Sequence, residues 1–153
     1  MAGEATIQAA IRALLQATSL YDNDAVTLGD QRVMGRGKAC AIIYPGTFEA
    51  RRAGDWSQVL YVWQERLEIW RPFAGDDYSD IISDRQTVVD TINARPTLGG
   101  VAGLSDATAR AGTEPQYLWP HGAALTAKPA MVGFRIDVQV IEERLYAGSG
   151  EFS

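Results

Sequence analysis

The sequence predicts one α+β domain: a twisted, mainly antiparallel sheet with two helices packed on one face and long loops between the elements. Three observations predict it. Two stretches carry apolar residues at helical spacing, while others carry the alternation or compact apolar runs of strands. The strands fall mostly between and after the helices, with hairpin-like spacing between the first two strong ones. The length of 153 residues suits one core.

The first helix is expected over Thr6–Thr18, where Ile7, Ala10, Ile11, Leu14 and Leu15 recur at i, i+3, i+4, i+7 and i+8. Tyr21–Lys38, rich in Asp, Asn and Gly, reads as a long connection with a short extended piece at Ala25–Leu28. The apolar run Lys38–Tyr44, KACAIIY, is a buried strand that Pro45-Gly46 is expected to stop in a turn. Ser57–Arg71 is rich in β-branched and aromatic residues, and Val59, Tyr61, Trp63, Leu67 and Ile69 alternate onto one face. A helical stripe through Val59, Val62, Trp63, Leu67 and Trp70 is the rival reading, but helix start and stop signals are missing. A long strand ending at Pro72 is therefore expected.

Tyr78, Ile81, Ile82, Val88, Val89 and Ile92 keep helical spacing behind Asp76, Asp77 and Asp80, carboxylates that favour the positive end of the helix dipole. Pro96 stops this second helix. Leu98–Gln116 is expected to be a long Gly/Ala/Thr/Ser connection, Tyr117–Trp119 a short strand and Pro120–Pro129 a second loop. Val132, Phe134, Ile136, Val138 and Val140 then alternate with less apolar neighbours along a half-buried closing strand. Residues 1–5 and 146–153 are expected to fray. Internal repeats are absent.

With 46% apolar and 22% charged residues the composition is that of a soluble globular chain. No apolar run approaches the roughly 18 to 20 residues of a membrane span, and MAGEATIQAA lacks the basic flank and apolar stretch of a secretory signal. The single cysteine, Cys40, excludes an intramolecular disulfide and a multi-cysteine zinc site, which fits a reducing cytoplasm. Net charge is −5, distributed as +1 over residues 1–53, −4 over 54–95 and −2 over 96–153. That balance lacks the basic stripe of a nucleic-acid-binding domain. It does offer two differently charged surfaces for a self-complementary contact.

Catalytic, cofactor and metal motifs are not found. His121 lies in a Pro/Gly-bounded loop without a second ligand at metal spacing. Cys40 sits in an apolar strand, where a thiol is a small hydrophobe rather than a nucleophile. Gly35-Arg36-Gly37-Lys38 has Arg32 where a phosphate loop needs glycine, and it precedes a strand instead of opening a helix. Asp76, Asp77, Asp80 and Asp84 lack the spacing of a calcium loop and read as helix-capping charge. Glu65, Glu68, Glu142 and Glu143 would serve as acid and base only if two of them met in space, and a solvated strand face is the simpler expectation. Arg32, Arg36, Lys38, Arg51 and Arg52 flank the first strong strand as a rim or docking patch. Trp70, on the opposite parity from Val59 to Ile69, would be an interface anchor beside Phe73 if exposed.

The N-terminal amphipathic helix, the meander whose long strand ends in EIWRPF, the acidic-capped helix DDYSDIISDRQTVVDTI, the Gly/Ala-rich loop and the closing strand MVGFRIDVQVIEER form a pattern over roughly residues 5–145. In element order and texture it resembles the tail terminator proteins of long-tailed bacteriophages; neck and tail-completion proteins share the pattern. The resemblance implies a structural subunit without catalysis or cofactor. It would assemble in the host cytoplasm as a hexameric ring at the head–tail junction of the virion. Such a ring caps the tail tube, faces the head connector and passes DNA through its lumen without specific binding. A closed ring needs heterologous contacts, and the expected one joins Arg51 and Arg52 to Asp76, Asp77 and Asp80 of a neighbour, with Trp70 and Phe73 as apolar anchors. A small carboxylate-dependent enzyme and a ligand-binding adaptor are the alternatives from other classes.

Overall fold

The structure, a computed structural model, describes residues 3–52, 58–73, 79–101, 103–110, 117–118 and 131–145. Helix α1 spans Glu4–Ala17 and helix α2 spans Ser79–Asn93. The strands are β1 (Val26–Leu28), β2 (Cys40–Arg52), β3 (Gln58–Pro72), β4 (Leu104–Arg110), β5 (Tyr117–Leu118) and β6 (Met131–Leu145). They form a mostly antiparallel sheet in the order β1-β2-β3-β6-β4, with β5 also paired to β6 beside Phe134 and Gly133. The fold is α+β, as the sequence predicts. Helix α1 begins at Glu4, so residues 4 and 5 are helical rather than frayed.

Both helices cover the same face of the sheet. Gln8 of α1 donates to Glu65 and Arg71 donates to Asp84 of α2, and residues 65 and 71 share one parity of β3. Ile7, Ile11 and Leu15 of α1 and Ile81, Val88 and Ile92 of α2 meet Ile43, Leu67, Ile69, Ile136 and Val138 in a continuous core. These i, i+4 stripes on the helices and i, i+2 rows on the strands remove apolar surface from water, the main driving force for this arrangement.

Two elements depart from the sequence expectation. Pro45-Gly46 does not stop the second strand: β2 runs on to Arg52, its register to β3 slipping between Tyr44 and Thr47. Proline is tolerated there because β1 pairs β2 only as far as Ile43, so among the described residues no strand on that side asks Pro45 for its missing N–H. Gly46 makes the slip possible. A Cβ at that position would stand 1.6 Å from the Gln64 carbonyl oxygen. The second departure is β4, within the stretch expected to be irregular. Leu104, Ala107 and Ala109 are its buried residues. Asn93 at the end of α2 accepts from the Ala109 N–H at 2.8 Å and donates to its carbonyl oxygen at 3.4 Å, clamping β4 to the helix. The parallel pairing of β1 with β2 also goes beyond the short extended piece expected there.

Candidate protein interface

Beyond the register slip the outer half of β2, the arm, runs as the edge strand of the described sheet along β3, which is itself backed by β6. From Pro45 to Arg52 all eight residues of β2 are exposed. On the helix side of the sheet, Phe48 is paired with Trp63 and remains 53% exposed. Its ring lies 5.9 Å from that of Tyr61 and 5.3 Å from that of Trp63, while Tyr61 and Trp63 stack at 6.0 Å. The Arg144 guanidinium sits 4.0 Å over Tyr61 and donates to the buried Glu142 carboxylate at 2.5 Å. Phe48 is thus a large apolar ring held in place from below and open to solvent above, the arrangement that limits the ordering cost of an interface anchor.

Arg51 and Arg52 stand exposed near the end of the arm, with Arg51 4.0 Å from Glu49. The other basic residues of the expected rim have local acidic partners. Arg32 pairs with Asp30 and Arg36 with Asp24, both at 2.9 Å, and Lys38 lies 4.0 Å from Asp22. The Arg32 side chain and backbone N–H hold the Asp30 carboxyl down at about 2. These exposed pairs shape the surface around the Gln31–Arg36 turn and add little stability.

At the opposite end of β3, Asp80 and Ile82 are exposed at the start of α2, Ile82 by 45%. The helix is fixed there by Arg71, which donates to both carboxylate oxygens of Asp84, at 2.5 and 2.9 Å. Asp84 is therefore a buried ion-pair partner and not the capping charge its spacing suggests. Asp76 and Asp77 lie outside the described residues, as do Trp56, Trp119 and His121.

Trp70 is not an interface anchor: it is fully buried, on the face opposite the helices, with its indole N–H donating to Glu68 at 3.3 Å. Its parity is as expected, but its ring lies against the backbone of Gly133 on β6, where a Cβ would meet it at 2.7 Å. Phe73 is half-buried against the core. Phe48, which sequence reasoning passed over, and Ile82, which it placed on the apolar stripe of the second helix, supply the exposed apolar groups instead. The signal for Phe48 was present in the alternation of Phe48 and Ala50 with Glu49 and Arg51.

No family model matches the chain, and no curated protein matches it.

Three of the four glutamates expected on a solvated face are buried: Glu65 1%, Glu68 8% and Glu142 2% exposed. They do not meet as an acid and base. Glu65 lies opposite Val138 while Glu142 lies opposite Tyr61, four residue steps apart on adjacent strands, or about 14 Å. Glycosidic carboxylates work at about 5 to 10 Å. Glu68 and Glu143 occupy the other face; Glu143 is exposed and bonded to Gln58. Each buried carboxylate has its own neighbour. Glu65 accepts from Gln8 at 3.1 Å, Glu142 from Arg144, and Glu68 from Trp70.

Cys40 is buried, and desolvation with the Glu68 carboxylate nearby pushes its thiol up to about 12. A thiol in that state is no nucleophile at neutral pH. Among the described residues, no cluster of His, Cys, Asp and Glu has the arrangement of a metal site, and no helix is long and apolar enough to cross a membrane. A groove of about 90 Å³ beside the register slip is lined by Gly46, Thr47, Gln64, Arg66, Arg135 and Asp137. It is well below the roughly 300 Å³ of a small-molecule site.

Proposed function

We propose that this chain is a structural virion protein: a ring-forming tail terminator that caps the tail tube of a long-tailed bacteriophage and joins it to the head connector. The observation that carries the reading is the arm. Its exposed run from Pro45 to Arg52 places a basic pair near one end of β3, while the acidic start of α2 follows the other end. From Val59, opposite Arg52, to Pro72 is thirteen residue steps, about 43 Å of strand. Unlike patches at opposite ends of one body suit the heterologous contacts of a closed ring. The resemblance of the sequence to tail terminators implies a ring of six. The mild negative charge suits a lumen that passes DNA without gripping its phosphates.

The test is the solution mass of the purified protein over a concentration series, by light scattering after size exclusion, with negative-stain images of the same fractions. A six-subunit ring is expected. A monomer at every concentration overturns a preformed ring and moves the reading to a neck component or an adaptor. Adding tail tubes then separates a terminator that assembles only on its tube from a neck component, because a neck component leaves free tube ends uncapped.

A further inference from the structure

The geometry points to an edge-to-edge contact between two copies of this chain, in which the outer half of β2 pairs antiparallel with the outer half of β2 on a second copy about a two-fold axis at Ala50. Among the described residues no strand lies beside β2 past Ile43, and every residue from Pro45 to Arg52 is exposed. Such an edge presents a row of backbone N–H and C=O groups that an added strand can satisfy. The far edge of the sheet is closed to the same contact at Ala109, whose N–H and carbonyl oxygen are both engaged by the Asn93 side chain. A neighbour's β4 is thus a poor match for the arm, and β2 itself is the strand left with a long free edge.

Charge selects both the partner and the register. Glu49 and Arg51 lie on one face of β2, opposite Val62 and Leu60, on the side of the sheet away from the helices. With the axis at Ala50, Glu49 of each copy stands directly opposite Arg51 of the other, so four charges meet in alternating sign. An axis at Glu49 would set that carboxylate against its own copy, and an axis at Arg51 would set two guanidinium groups together. The strand therefore complements itself only about the residue between them. Within one chain Arg51 comes no nearer than 4.0 Å to Glu49, and both side chains are more than half exposed, so each can face a neighbour. Toward the core the paired stretch ends at Pro45, which has no N–H to offer, and at the register slip beside it. The contact is isologous, whereas a ring is closed by unlike surfaces. It does not rest on the ring reading, because it joins free copies, or whole rings, by twos.

Ala50→Cys tests this. The axis brings the two copies of this residue to the roughly 4.5 to 5.5 Å between Cα atoms that a cross-strand disulfide spans, while Cys40 stays buried. Mild oxidation of the native protein is expected to give a disulfide-linked dimer on a non-reducing gel. Thr47→Cys, which the same register sets about 20 Å from its own copy, is expected to give none. Added to Ala50→Cys, either Glu49→Arg or Arg51→Glu places like charges opposite each other and is expected to cut cross-linking at least about tenfold at low salt. Mixed in equal amounts, these two charge variants restore opposite charges at both positions, and their heterodimer, identified by intact mass, is expected to form as readily as the pair with Glu49 and Arg51 unaltered. Far-UV circular dichroism confirms that each variant folds. No link through Ala50→Cys, equal linking through Thr47→Cys, charge variants that link undiminished, or a mixture that fails to recover each overturns the pairing. A six-subunit ring without the link leaves the ring reading standing; the link in a protein that forms no ring supports the pairing and overturns the preformed ring alone.

Discussion

The ring of Trp70 on β3 lies across Gly133 on β6, its direct cross-strand partner, and takes the space that any side chain there would need. A Cβ at Gly133 would stand 2.7 Å from the Ile69 carbonyl oxygen and 2.7 Å from the indole. Gly133→Ala is therefore expected to force the largest side chain of the core off its seat, at a cost of about 3 kcal/mol. Urea denaturation followed by tryptophan fluorescence measures it, and a loss below about 1 kcal/mol would show that the indole can move aside.

Arg71 and Asp84 tie the far end of β3 to α2 through two hydrogen bonds. The carboxylate is almost wholly buried and the guanidinium about three-quarters so. Asp84→Asn leaves the arginine without its counter-charge, and a loss of about 2 to 3 kcal/mol is expected. Replacing both, Arg71→Met with Asp84→Leu, is expected to recover most of it. A double-mutant cycle by chemical denaturation reads the coupling directly.

Glu65 gives the fold a pH dependence of known sign. Burial raises its carboxyl to about 7, with Glu4 adding to the rise and Gln8 opposing it. The native state holds this proton more tightly than the unfolded chain, whose value lies near 4.5. The resulting stability is fully present below about 4.5 and is lost as pH rises through about 7. Glu65→Gln is expected to flatten that limb and to raise stability by up to about 3 kcal/mol at pH 8, with little change at pH 4. Thermal melts of both proteins across that range test it; parallel curves would mean that the carboxylate is better solvated than its burial indicates.

Cys40 is expected to resist thiol reagents in the native state at pH 8, because its thiol is buried and held well above its usual range. One thiol per chain should appear on denaturation, at a rate set by unfolding. Immediate labelling of the native protein would mean that the first part of β2 opens readily.

The helices and the long strands were legible in the sequence because periodicity reports burial directly: Ile7, Ile11 and Leu15 face one way in a helix, and Phe134, Ile136 and Val138 in a strand. The Pro45-Gly46 turn misled because these residues end strands where pairing is required on both sides, and among the described residues this edge has no strand beside it past Ile43. Strand β4 was hidden by small residues: Ala107 and Ala109 fill the space beside α2 without the bulk that marks a strand. Trp70 could not be placed from parity alone, since whether a face is covered depends on elements distant in sequence. The buried glutamates escaped notice because their partners come from α1 or from other positions on the strands, as Gln8 does for Glu65.

The open edge of the arm has a further consequence for how the molecule breathes. Residues 41–43 of β2 are flanked by β1 and β3, whereas, among the described residues, 47–52 are paired on one side alone. Amide protons of the arm should therefore exchange with solvent deuterium through openings that leave the rest of the sheet intact, while those of the inner half wait for larger unfolding. A partner that covers Phe48 would slow exchange along the whole arm. The same strand thus holds a rigid half that belongs to the core and a responsive half whose protection reports whether a neighbour is in place.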